Sequence, residues 1–183
     1  MSISIPRGLS LLEIMVTMGI SAIIFSITIP VMASFINQNR IATQVNNLRN
    51  NLDLARSVAV KENKHTVICK SEDGESCSRQ QDWEQGWIIF VDDNRDRNRT
   101  ENERLVLVQQ PLPNGTQLKY RAFGSRHYVA YQPMGFTLTN GTFTVCNPAV
   151  PDRSKALILS KTGRVRLSKT LPGSKPIKCE KDR

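Results

Sequence analysis

Charge is almost missing between Leu9 and Ile36: 28 residues carry a single ionisable side chain, Glu13. That shortage excludes a water-facing element, and the run exceeds the ~20 apolar residues that a helix needs to cross a bilayer. Its length and the lack of a small-x-small cleavage site also argue against a removable secretory signal. Histidine is scarce too. His65 and His127 are the only two, and no Gly-x-Ser-x-Gly or Ser-x-x-Lys motif accompanies them. Nucleophilic catalysis therefore has no recognisable set of groups. Both histidines fall at expected strand starts and read as structural or surface residues, and no cofactor motif is present. Cysteine is absent before residue 69, and Cys69, Cys77, Cys146 and Cys179 show neither CxxC spacing nor a His-containing zinc pattern. Beside a membrane-directed N-terminus, disulfides in an oxidising compartment are the better reading. Of three connectivities, Cys69–Cys77, closing a short polar loop, and Cys146–Cys179, stapling the tail, are favoured. Acidic residues run short last: residues 104–183 hold 14 Lys/Arg and 3 Asp/Glu, against 11 and 13 in residues 1–103. A half this basic suits a polyanionic partner, nucleic acid or an anionic membrane surface, or is simply a solubilising face.

What is present has two periodicities. After Ile36 the residues Ile41, Val45, Leu48, Leu52, Ala55 and Ala59 recur at alternating four- and three-residue steps, which makes one apolar helical stripe. Arg40, Asn47, Arg49, Asp53 and Arg56 occupy the other face. One helix over about residues 8–62, about 80 Å long, is expected, kinked at Pro30. From Thr66 the period becomes two, in "TVIC", "GWIIFVD", "RLVLVQ", "QLKYRAF", "HYVAY", "GTFTVC", "KALILS" and "RVRLS". Gly- and Pro-containing turns separate these strands. The expected fold is α+β: an antiparallel sheet with the amphipathic helix over one face, Trp83, Trp87, Tyr120, Tyr128 and Tyr131 packing the sheet, and a tail held only by Cys179.

The opening "GLSLLEIMVTMGI" resembles the N-terminus of type IV pilins and pseudopilins. That resemblance implies peptidase cleavage after Gly8, methylation of the new amine at Leu9, and assembly guided by Glu13. The Glu13 carboxylate would pair with the Leu9 amine of its own or a neighbouring subunit, because opposite charges attract far more strongly in low dielectric than in water. Leu9 stands where the family more often has Phe, a departure that leaves the methylated backbone amine unaffected. "GWIIFVDDNRDRNRTENE", "YQPMGF", "GTFTVC" and "KTGRVR" resemble the minor branch that includes FimT, FimU and GspH. The implied organisation is a leader over 1–8, a membrane and filament-core half-helix over 9–36, an amphipathic half over 37–62 and a β-domain over 63–183. Implied partners are a prepilin peptidase, other pilin subunits and the bacterial inner membrane, with the globular domain periplasmic before export into a pilus.

Two further stretches carry candidate chemistry. In "SKTGRVRLSK" a Gly turn at 163 precedes a strand that sets Arg164, Arg166 and Ser168 on one face and Val165 and Leu167 on the other. Lys161 and Lys169 bracket the pair, and guanidinium fits phosphate bidentately. The element resembles the Gly-Arg-x-Arg of FimT-like minor pilins linked to DNA uptake, so DNA is the expected partner. The alternatives are a solvated edge strand whose charges deter aggregation, or a purely structural subunit resembling FimU or GspH. "DDNRDRNRTENE" imitates a calcium loop through Asp92, Asn94, Asp96, Asn98 and Glu103, but Arg97 occupies the position where the loop needs Gly. A solvated hairpin loop without metal is the expectation.

Overall fold

The computed structural model describes residues 10–80, 82–124 and 127–179. Contacts divide the chain between Ile36 and Asn37 into two units. Helix α1 spans Leu11–Glu62 and contributes to both. Gly8 and Leu9 lie outside the described residues.

In the first unit, Leu11–Thr28 is long and apolar enough to cross a membrane. Leu11, Leu12, Met15, Met18, Ile23 and Phe25 are exposed, as is Glu13. The hydroxyls of this stretch donate backwards to helix carbonyls: Thr17 to Ile14 at 2.9 Å, Ser21 to Thr17 at 2.7 Å and Thr28 to Ile24 at 2.8 Å. Such bonds hide side-chain donors inside the helix, so an apolar environment leaves little polar surface unsatisfied.

In the second unit the stripe from Ile41 to Ala59 is at most 2% exposed. It packs beneath eight strands: β1 Thr66–Lys70, β2 Trp87–Val91, β3 Leu105–Gln109, β4 Gln117–Ala122, β5 Tyr128–Tyr131, β6 Gly141–Cys146, β7 Lys155–Leu159 and β8 Val165–Ser168. The expected single sheet is corrected here. There are two four-stranded antiparallel sheets, in the orders β3-β2-β1-β5 and β4-β6-β7-β8. Between β3 and β4 the chain reads "QPLPNGT", and Pro111 and Pro113 offer no amide to a continuing ladder. Instead the Leu112 amide donates to the Glu84 carbonyl and the Leu118 amide to the Glu84 carboxylate, at 2.8 and 2.9 Å. β4 thereby starts a new sheet, and β5 returns to the first.

One core lies under both sheets. Ile68, Trp87, Ile89 and Tyr131 from the first meet Tyr120, Phe143, Leu157 and Leu159 from the second. Trp83 joins them, edge-on to Phe143 at 5.0 Å, while Tyr120 stacks on Phe143 at 4.1 Å. Tyr120 and Tyr131 are desolvated, which pushes the Tyr120 hydroxyl up to about 12 and Tyr131 higher still. The first sheet has a second buried face as well, built from Val67, Cys69, Ile88, Phe90 and Ala130. The loop closed by Cys69–Cys77, with Cα atoms 5.6 Å apart, and the loop over 92–103 flank this face. Arg99 joins the two loops by donating to the Glu75 carbonyl at 2.7 Å, and the Arg97 guanidinium sits 5.6 Å over half-buried Tyr128.

Candidate nucleic-acid interface

The turn between β7 and β8 is built from glycine and held from outside. Gly163 adopts φ +75°, and a Cβ there would fall 1.9 Å from the Gly135 carbonyl oxygen, so only glycine fits without a shift of backbone. Arg56 of α1 donates from Nε to the Gly135 carbonyl at 3.0 Å and from Nη2 to the Thr162 carbonyl at 3.2 Å. The Thr137 amide donates to the Lys161 carbonyl at 2.9 Å, and the Thr137 hydroxyl donates to the Ser160 carbonyl at 3.0 Å. The helix and the β5–β6 loop thus fix where β8 begins. Arg56, on the helix face opposite the apolar stripe, is half-buried in this clamp.

Lys161, Arg164, Arg166 and Lys169 are all exposed. Register places Arg166 opposite Ile158 and Val165 opposite Leu159, so Arg166 points away from the core and Val165 packs against it. Leu167 needs correction. It shares the parity of Val165 but is 45% exposed, because β8 is the sheet's edge strand and has no neighbour beyond it.

Register also brings in residues that the sequence reading did not single out. Arg121 pairs with Thr142, Thr142 with Ile158 and Ile158 with Arg166, so two guanidiniums share one row of the outer face. Three strand spacings of about 4.8 Å put their backbones roughly 14 Å apart. Lys119 and Arg121 are exposed two residues apart on β4, and none of the second sheet's four strands contains Asp or Glu. The alternation in "QLKYRA" signalled an outward pair; what it could not supply was the neighbouring strand. Beside this row the tail forms the far wall of a groove of about 380 Å³ lined by Lys119, Arg121, Leu171, Lys175 and Lys178. The Cys146–Cys179 disulfide, with Cα atoms 6.0 Å apart, ties the tail at that place. A tail held only by Cys179 is thus an incomplete description. Arg and Lys on an open face whose strands carry no Asp or Glu can hold phosphate groups by charge and by paired N–H donors.

The acidic residues gather elsewhere. Asp92 and Glu103 are 2% and 5% exposed, so the expected solvated loop is buried at both ends. Glu103 accepts the amides of Asp93 and Thr100 at 3.0 and 2.9 Å, and Asp92 accepts that of Arg97 at 3.2 Å. Arg97 has φ +63°, making with a non-glycine residue the turn where glycine was thought necessary. Burial pushes the Asp92 carboxyl above the usual carboxylate range, with the Glu103 and Asp96 charges adding to it. No three His, Cys, Asp or Glu side chains converge as a metal site among the described residues. Asp73, in the disulfide loop, is held well below the usual range by hydrogen bonds from Ser76, Glu75 and Ser71.

Trp83, Trp87, Tyr120 and Tyr131 are at most 5% exposed. His65 and His127 immediately precede β1 and β5. The most exposed aromatic among the described residues is Phe123, 92% accessible just past β4.

Residues 44–163 match the family described as Type II transport protein GspH. Among solved structures, the type IV minor pilin FimU of Pseudomonas aeruginosa is 21% identical with a TM-score of 0.59, over 76% of this chain and 98% of that one. The minor pseudopilin EpsH of the Vibrio cholerae type 2 secretion system is 12% identical with a TM-score of 0.51, over 73% and 98%. No curated protein sequence matches. At those identities the two structures establish the shared fold, while the family match covers well over half of the sequence. The chain belongs to the GspH family and has the fold of minor pilins and minor pseudopilins.

Proposed function

We propose that this protein is a minor type IV pilin whose second sheet binds extracellular DNA without sequence preference, for uptake in natural transformation. The observation that carries the reading is the outer face, with no Asp or Glu in its four strands, on which Arg166 and Arg121 share a row, with Arg164, Lys161 and Lys169 exposed beside them. Backbone phosphates are the target such cations suit, so affinity falls steeply with salt. In this reading a peptidase cuts after Gly8, the Leu9 amine is methylated, and Glu13 pairs with that amine as subunits pack. The apolar half of α1 anchors the protein in the inner membrane, domain in the periplasm, until it enters a pilus.

The test is fluorescence anisotropy of the full chain in non-ionic detergent with a labelled duplex at two salt concentrations. Arg164→Gln with Arg166→Gln should lose most affinity at an unchanged melting temperature. The salt slope should shrink in magnitude by about one per lost contact. Parent and double variant binding equally would overturn the reading and leave a structural subunit, whose basic face meets protein.

A further inference from the structure

We infer that Phe123 and Arg121 form a base-stacking subsite for single-stranded DNA, at the end of the groove between the second sheet and the tail. The inference rests on the DNA-binding reading and specifies the strand state that this part of the surface takes. Phe123 is the most exposed large apolar side chain of the second unit, in a domain that buries both of its tryptophans. It lies two residues beyond Arg121, and both residues line a shallow depression of about 250 Å³ with Thr142, Ile158 and Pro172. Arg121 also lines the tail groove, together with Lys175 and Lys178, so it borders both hollows. A phosphate chain following the groove past the tail lysines would reach Arg121 and present its next base to the Phe123 ring.

The chemistry needs that combination. Proteins that hold single strands join a cationic track to aromatic faces, because every base has a π-face and stacking tolerates any sequence. A duplex keeps its bases paired and stacked on one another, so it can use the cations but not the ring. Arg164 and Arg166, at the opposite edge of the sheet, serve either form through phosphates. Phe123 distinguishes them.

The experiment compares the full chain in non-ionic detergent against labelled oligo-dT and a duplex of equal length at matched salt. Phe123→Ala should weaken oligo-dT binding by roughly 5- to 160-fold, the range for loss of one stacked base. Duplex binding should change less than twofold, and Phe123→Trp should retain both. The Arg164→Gln, Arg166→Gln variant should weaken both. If Phe123→Ala leaves oligo-dT binding unchanged, or weakens duplex and single strand alike, the subsite is refuted while DNA binding stands. If the parent binds neither nucleic acid, both readings fall. If Phe123→Ala alters only recovery in pili, the ring is a subunit contact and the inference fails.

Discussion

The two sheets have the same number of strands and share one core, yet their outer faces were built for opposite purposes. In the first, β1 and β2 are buried at every position, as "TVICK" and "WIIFV", because α1 covers one face and the two tied loops flank the other. In the second, β4 and β8 keep exposed cations on the outer side. The same antiparallel architecture therefore reads as continuous apolar runs when covered twice and as alternation when covered once. The acidic loops belong to the covered sheet, and the exposed strand cations Lys119, Arg121 and Arg166 to the open one. A single fold thus separates its stability from its charge.

The sharpest way to break that comparison is to remove equivalent side chains from the two outer faces. Phe90→Ala, under the loops of the first sheet, should cost about 3–5 kcal/mol. Ile158→Ala, half-buried on the second sheet's outer face, should cost less, about 1–2 kcal/mol, since part of its surface stays in water after folding. Chemical denaturation reads both, and equal costs would mean that the second sheet is covered after all.

Next in size are the disulfides. Cys146→Ser with Cys179→Ser should cost about 2–4 kcal/mol and make the tail the first site of limited proteolysis. Cys69→Ser with Cys77→Ser should instead expose the apolar patch around Phe90. If the tail stayed protected in the first pair, contacts along the groove would be holding it without the bridge. Gly163→Ala follows at about 2–3 kcal/mol for the left-handed backbone and the displaced Gly135 carbonyl. Arg56→Ala should lose about 1–2 kcal/mol through its two carbonyl partners. Both are read by thermal melts alongside DNA affinity, and a variant that melts normally would show that the clamp is not what sets β8.

How far the sequence carried this architecture is visible residue by residue. The stripe Ile41 to Ala59 and all eight strands were legible, because period 3.6 and period 2 are local signals. Their partition into two sheets was not, since a strand's own pattern says nothing about which strand pairs with it. For that reason Arg164 and Arg166 could be singled out beside their glycine, while Arg121 could join them only once register was known. The clamp made by Arg56 was not legible, because nothing local announces two carbonyls 79 and 106 residues away. The turn at Arg97 was hidden for a different reason. A preference for glycine is statistical, and the amide bonds to Asp92 and Glu103 hold the loop in place despite it.

The smallest effect tests the covered sheet through two carboxyls of opposite sign. Asp92 is raised by burial, so its ionised form costs stability at neutral pH; that cost is relieved as pH falls through the raised value and is gone below the unfolded value of about 3.9. Asp73 is depressed by its hydrogen bonds, so it contributes stability above about 3.9 that is lost as pH falls further toward its folded value. Asp92→Asn keeps a carbonyl oxygen for the Arg97 amide and removes the buried charge. It should raise the melting temperature at pH 7 by roughly 2–4 °C, the shift that about 1 kcal/mol produces in a domain of this size. The advantage should shrink toward pH 4, where the parent's carboxyl takes up its proton. Asp73→Asn should instead lower the melting temperature at pH 7 and approach the parent only in stronger acid. Melts at pH 7, 5 and 4 separate the two. An Asp92→Asn variant destabilised at pH 7 and level with the parent in acid would mean that the carboxylate is held by attraction rather than penalised by burial, and the loop would then owe its closure to charge.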